Sequence, residues 1–93
     1  MITVNLNGVF QVETGVKTFE LDDVEGITAG KAVLTIISRY PVLHKFWVTE
    51  EGELSEHVMM VLNGTDIYAQ PKGLQTELQE GDRLDFFSPL AGG

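Results

Sequence analysis

The chain reads as an α+β domain in which a mixed sheet of four to five strands is covered on one face by a single main helix. Three observations carry that reading. Ile2, Val4 and Leu6 alternate with Thr3, Asn5 and Asn7, the period-two pattern of a strand with one buried face. Ala29, Ala32, Val33, Ile36, Ile37 and Tyr40 recur at helical spacing behind Thr28, a good N-cap residue. Several further short apolar runs are bounded by Asn-Gly, Pro-Lys-Gly and Gly-Asp breaks, so strands lie on both sides of the helix in sequence. A single long helix has only a sheet face on which to bury its apolar stripe.

Taken in order, the first strand ends at Asn7-Gly8, and residues 8–15 read as an eight-residue loop between glycines. A second alternating run with Val16, Phe19 and Leu21 comes next, and Asp22-Asp23-Val24-Glu25-Gly26 forms a polar turn. The helix then runs from Thr28 to about Arg39, where Pro41 stops it. Lys31 occupies the position where a capping box carries Glu, so the cap is half made. Thr35, Ile36 and Ile37 are β-branched, a modest propensity cost that the spacing and the cap outweigh. Residues 42–56 contain one helical turn packing Phe46 or Trp47, then an exposed acidic turn, Thr49-Glu50-Glu51-Gly52-Glu53. Val58, Met60 and Leu62 alternate with His57, Met59 and Val61, and with apolar residues on both faces this reads as an interior strand. Asn63-Gly64 closes it with a tight turn into a short strand at Ile67 and Tyr68. After Pro71-Lys72-Gly73 comes one helical turn around Leu74 to Leu78, and Glu80-Gly81-Asp82 leads into the last strand, which carries Leu84, Phe86 and Phe87.

The 93 residues make one domain over 1–88 and a flexible tail over 89–93. A chain of this length buries only about two-thirds of its unfolded surface, enough for one core. There is no cysteine, which excludes disulfides, thiolate metal sites and a cysteine nucleophile, and suits a reducing compartment. The N-terminus has no secretory pattern and no run approaches membrane-spanning length, so a cytoplasmic protein without membrane partners is expected. Fourteen acidic and six basic residues give a net charge of −8, which phosphate backbones and anionic lipids repel. Nucleic acid is therefore not expected as a partner. A protein with a basic surface is the better match, charge serving mainly to speed encounter.

Conventional catalytic arrangements are missing from the sequence. His44 and His57 form no metal-ligand spacing with Glu50, Glu51, Glu53 or Glu56, and a solvated acidic loop explains those glutamates. Ser38, Ser55 and Ser88 lack a nucleophile-elbow context, and the glycines make no phosphate-cradling loop. Asn63-Gly64-Thr65 matches a glycosylation sequon, but a tight turn accounts for it in a cytoplasmic chain. No cofactor or metal is implied.

The last stretch, Leu84-Asp85-Phe86-Phe87-Ser88-Pro89-Leu90-Ala91-Gly92-Gly93, is the most informative. Pro89 fixes its own φ and holds Ser88 extended, which ends the sheet ladder and aims the last residues away from the body. Gly92 and Gly93 have no Cβ, so they can thread a narrow cleft and present a bare carboxylate to another protein. This ending, together with Gly26-Ile27-Thr28-Ala29-Gly30, Arg39-Tyr40-Pro41, Glu51-Gly52-Glu53-Leu54, Val61-Leu62-Asn63-Gly64 and Leu78-Gln79-Glu80-Gly81-Asp82, resembles the ubiquitin-like sulfur-carrier family. The resemblance covers nearly the whole chain in order. Its most specific part is the Gly-Asp turn placed a set distance before a terminal Gly-Gly.

That resemblance implies a β-grasp fold, with the first and last strands side by side at the sheet centre. It implies a protein co-substrate and not an enzyme. By position, Gly93 is the residue adenylated by an E1-like enzyme and converted to a thiocarboxylate, and Gly92 is its companion. The sulfur goes to an acceptor enzyme such as a molybdopterin synthase large subunit, of which this chain would be the small non-catalytic partner. Ser88 departs from the family's usual proline before Pro89, and residues 40–58 are longer than in thiamine carriers, which favours the molybdopterin type or the cysteine-biosynthesis type. A ubiquitin-like modifier joined to lysines and a β-grasp interaction module remain alternatives.

Two placements are expected on this fold. Val33 and Ile36 or Ile37 should meet Val4, Leu84 and Phe86 in the core. Strand alternation then sends Phe87 to the opposite face with Arg83 and Asp85. In a β-grasp sheet the third strand lies beside the last, so Met59 and Val61 join Phe87, Pro89 and Leu90 as the expected partner-binding surface.

Overall fold

A computed structural model of the chain describes residues 1–22 and 26–88. The central part of the expected polar turn, Asp23 to Glu25, and the expected positions of Pro89, Leu90, Gly92 and Gly93 lie outside the described residues.

Strand β1 (Ile2–Leu6) buries Ile2, Val4 and Leu6 completely while Thr3 and Asn5 stay half-buried on the other face, as its alternation requires. It pairs antiparallel with β2 (Thr18–Leu21) and parallel with β5 (Arg83–Phe87). On the far side of β5 lies β3 (Met59–Leu62), antiparallel, and beyond it the two-residue β4 (Thr65–Asp66). The resulting five-stranded order is β2-β1-β5-β3-β4. The first and last strands therefore lie together at the centre, the β-grasp arrangement, and β3 is interior as its two apolar faces suggested.

Helix α2 (Ala29–Arg39) buries Ala29, Ala32, Val33 and Ile36 against the sheet, while Ile37 is only partly covered. The Thr28 hydroxyl accepts from the Lys31 backbone N–H at 3.2 Å, the cap read from the sequence. Residues on both sides of that cap pair with a later segment. Leu78 N–H donates to the Ile27 carbonyl at 2.8 Å, and Ala29 N–H donates to the Thr76 carbonyl at 2.8 Å. The start of α2 is thus stitched to the chain leading into β5.

Three local expectations change. Residues 8–15 are not a loop: they contain helix α1 (Val9–Thr14), closed by Gly15 in the left-handed region at φ 75°. This single turn and a half buries one residue, Phe10, whose ring meets Trp47 edge-on at 5.5 Å and Phe46 at 6.1 Å. A helix so short has no stable existence alone, and the burial of Phe10 is what holds it. The short strand expected at Ile67 and Tyr68 is instead β4 at Thr65–Asp66, with a 3-10 turn after it over Ile67–Ala69. The Asp66 carboxylate accepts from Tyr68 N–H at 2.8 Å, which tucks Ile67 fully into the core and turns Tyr68 outward. The turn expected around Leu74 to Leu78 is a 3-10 turn over Gly73–Gln75, after which the chain runs extended to the buried Leu78.

Residues 41–56 hold a 3-10 turn at Pro41–Leu43, helix α3 (His44–Trp47), and a small hairpin in which Val48 bridges Leu54. Of the two aromatic candidates, Trp47 is the core residue: it is fully buried and stacks on Phe86 at 4.3 Å with the ring planes 19° apart. Phe46 is only partly covered.

The β3–β4 turn is a two-residue connection with both central residues left-handed, Asn63 at φ 50° and Gly64 at φ 88°. Asn63 also ties this turn to β5. Its Nδ2 donates to Asp82 Oδ1 at 2.9 Å and its Oδ1 accepts from Arg83 N–H at 2.8 Å. Asn63→Ala loses both bonds and places a Cβ-only side chain in the left-handed region, for an expected cost of about 1–2 kcal/mol. Urea unfolding should show a lower midpoint with an unchanged slope. Asn63→Gly, which tolerates the backbone, should recover part of that loss.

Candidate functional site

The outer face of the sheet, away from α2, is where the expected partner-binding residues gather. In β5, Leu84 and Phe86 point inward and are fully buried, so Arg83, Asp85 and Phe87 point outward. The antiparallel β3–β5 register sets Met59 directly opposite Phe87 and Val61 opposite Asp85. Met59 and Phe87 are each 39% exposed, more than any other large apolar side chain on the strands, and Val61 is partly buried beside them. Cross-strand partners on one face stand close enough for direct contact, so Met59 and Phe87 form one apolar patch at the end where β5 leads to the tail. The strand end is held in place from the other side. Both the backbone N–H and the Nδ2 of Asn7 donate to the Phe86 carbonyl, each at 3.1 Å.

The rest of this face is a hydrogen-bonded polar row. Thr18 Oγ1 donates to Asn5 Oδ1 at 2.8 Å, Asn5 Nδ2 donates to Asp85 Oδ1 at 2.7 Å, and Arg83 Nε donates to Asp85 Oδ2 at 2.9 Å. The row tracks the register in which Asn5 faces Thr18 on one side and Asp85 on the other. Both Asp85 oxygens are engaged, so its charge is satisfied within the sheet and the patch is bounded by a fixed polar edge. Asn5 and Thr18 escaped the sequence reading as site residues. Alternation alone turns them outward, but only the parallel β1–β5 pairing, set by residues 80 positions apart, brings Asn5 to Asp85.

Chemically, this face offers an apolar surface with a hydrogen-bonded polar border beside the end of β5. Among the described residues no group of three or more His, Asp or Glu side chains is gathered to hold a metal ion. Gly92, Gly93, Pro89 and Leu90 lie outside the described residues, so the patch is defined by Met59, Val61 and Phe87.

Comparison with known proteins agrees with the topology. Small archaeal modifier protein 1 of Haloferax volcanii is 28% identical over 79 residues, which are 85% of this chain and 85% of that protein. The crystal structure of SAMP1 from Haloferax volcanii superposes with a TM-score of 0.86 at 25% identity, covering 99% of this chain and 98% of that one. A chain of the Amycolatopsis orientalis BexX/CysO complex superposes with a TM-score of 0.78 at 26% identity, over all of both chains. The ThiS family model matches residues 4–93, from the first strand through the terminal glycines. Sheet order, helix placement and this near-complete match together lead to one conclusion: the chain belongs to the ThiS family of small ubiquitin-like sulfur carriers and modifiers.

Proposed function

We propose that this protein is a sulfur carrier whose Gly93 carboxylate is activated by an E1-like adenylating enzyme and converted to a thiocarboxylate. The observation that carries the reading is the family match running through Gly92 and Gly93, beside an outer-face apolar patch at the root of that segment. A carboxylate is a poor electrophile, because attack on it must displace an oxide. In the proposed sequence a Gly93 oxygen attacks the α-phosphorus of ATP and pyrophosphate leaves. Sulfide then adds to the acyl carbon, and AMP departs with the original oxygen. The activating enzyme supplies the phosphate contacts and the metal. The carrier supplies a chain end without side chains.

The acceptor we favour is a molybdopterin synthase-type large subunit, since residues 40–58 are extended relative to thiamine carriers; a cysteine-biosynthesis acceptor uses the same donor. The reading places the chain in the cytoplasm, where its activating partner has ATP. Among the described residues no helix is long and apolar enough to cross a membrane. A second use of the same activated glycine is conjugation to lysines, and the similarity to small archaeal modifier protein 1 favours keeping it.

Incubation with an E1-like partner, ATP and sulfide should add the mass difference between sulfur and oxygen at Gly93. If intact-mass spectra showed neither adenylate nor thiocarboxylate, the carrier reading would fall. Lysine conjugation would appear as higher-mass bands in cell extracts that disappear when Gly93 is removed. The docking face has its own test. Phe87→Ala removes a half-exposed ring and should change stability by less than about 1 kcal/mol. It should nevertheless weaken binding to the activating enzyme about tenfold, as loss of an interface aromatic does. Calorimetric titration beside a thermal melt separates the two effects.

A further inference from the structure

On the helix side of the sheet, remote from the Met59–Phe87 patch, the molecule carries a groove of about 730 Å³. Its volume lies within the range of specific ligand sites, about 300–1,000 Å³. Leu34 of α2, Leu54 of the small hairpin and Leu74 of the later 3-10 turn contribute apolar walls, and Trp47 completes the lining. Leu34 is 64% exposed and Tyr68 59% exposed, so the groove opens broadly to solvent. Leu54 and Leu74 are partly buried, and with the exposed Leu34 they bring three separate elements around one depression into a single apolar surface.

Polar groups give the groove a direction. Glu53 and Tyr68 lie in its lining, with Lys31 on the helical wall. Partial burial pushes the Tyr68 phenol above its ordinary pKa, and the carboxylates of Asp66 and Glu53 push it the same way. With Glu53 in the lining and the Asp66 carboxylate accepting from the Tyr68 N–H at 2.8 Å, that end of the groove is acidic, in a chain whose net charge is −8. The indole Nε1 of Trp47 is buried and has no hydrogen-bond partner among the described residues. Trp47 is fully buried, so it gives the groove an apolar floor and no donor that a ligand can reach.

We propose that this groove seats an extended apolar segment of a partner protein that carries a lysine or arginine beside its aliphatic anchor. The aliphatic side chain covers Leu34, Leu54 and Leu74, and the cation meets Glu53 in the Tyr68 end. Charge complementarity selects this occupant. An anionic ligand would meet the carboxylates, and a second copy of the chain would bring the same net charge of −8. The groove and the outer sheet face lie on different sides of the molecule, so one protein could hold its activating enzyme on one face while a second partner reads the other.

The test uses the full chain, labelled with ¹⁵N, and two blocked peptides: Gly-Leu-Val-Leu-Arg-Gly and the same sequence with Glu in place of Arg. The Arg peptide should shift the amides of Leu34, Leu54 and Tyr68, leave Met59 and Phe87 unmoved, and move the indole N–H signal of Trp47, the sole tryptophan. The Glu peptide should bind about tenfold more weakly, and Glu53→Gln should erase most of that difference. Leu34→Ser, at an exposed position, should melt like the wild type and lose about tenfold in affinity for the Arg peptide. Absence of groove shifts at millimolar peptide, shifts confined to Met59 and Phe87, or equal affinity for both peptides would each overturn the proposal. So would groove signals that move with protein concentration alone, which would assign the surface to a second copy.

Discussion

Removing Gly93, or extending the chain by one residue beyond it, is expected to abolish both the adenylate and the thiocarboxylate, taking the sulfur mass gain to zero. The terminal carboxylate then sits one residue short of, or one residue beyond, the position from which it can attack the α-phosphorus. Gly92→Val should be nearly as severe, because a β-branched side chain meets a cleft shaped for backbone alone. None of these changes touches the described apolar core, whose buried side chains run from Ile2 to Phe86, so melting should stay at the wild-type value. Intact-mass spectrometry and a thermal melt on the same samples separate lost chemistry from lost folding. A variant without Gly93 that still gained sulfur would place the reactive group elsewhere.

The largest stability effect should come from within β5. Phe86→Ala is expected to cost about 3–5 kcal/mol, and Leu84→Ala about 2–5 kcal/mol, through lost burial and the cavity left behind. Both side chains are fully buried. Phe86 carries more than its own area, since Trp47 stacks on it at 4.3 Å and Phe10 leans edge-on against Trp47 at 5.5 Å. Removing the ring strips support from α3 and from the short helix α1 together. A domain of this size has only about 5–15 kcal/mol in total, so Phe86→Ala should lower the melting temperature by roughly 12 °C or more. Trp47 fluorescence reports the same site directly. Near-wild-type melting of both variants would contradict the assignment of β5 to the centre of the sheet.

These two experiments act on residues that were legible for different reasons. Leu84 and Phe86 against Phe87, like Ile2, Val4 and Leu6, could be assigned to faces from alternation, because successive side chains on a strand must point opposite ways. The span and cap of α2 were legible because 3.6-residue periodicity and the Thr28 hydroxyl are local features. Ile36 rather than Ile37 as the core residue was beyond that reading, since both positions border the same helix face and packing selects between them. The resemblance supplied the pairing of the first and last strands, which periodicity cannot encode.

What the linear chain withheld was everything that depends on residues far apart in it meeting. Helix α1 exists because Phe10 finds Phe46 and Trp47, more than thirty positions away, whereas its own six residues show no helical period. The 3-10 turn at Ile67–Ala69 replaces a strand because burying Ile67 requires the chain to fold back after Asp66. Met59 stands against Phe87, and Asn5 against Asp85, only through the β3–β5 and β1–β5 registers. The groove is likewise assembled from four segments separated in sequence. Alternation and helical period are properties of consecutive dihedrals, so they survive in the sequence. Register, short helices and concave surfaces are set by the burial of side chains that the fold alone brings together.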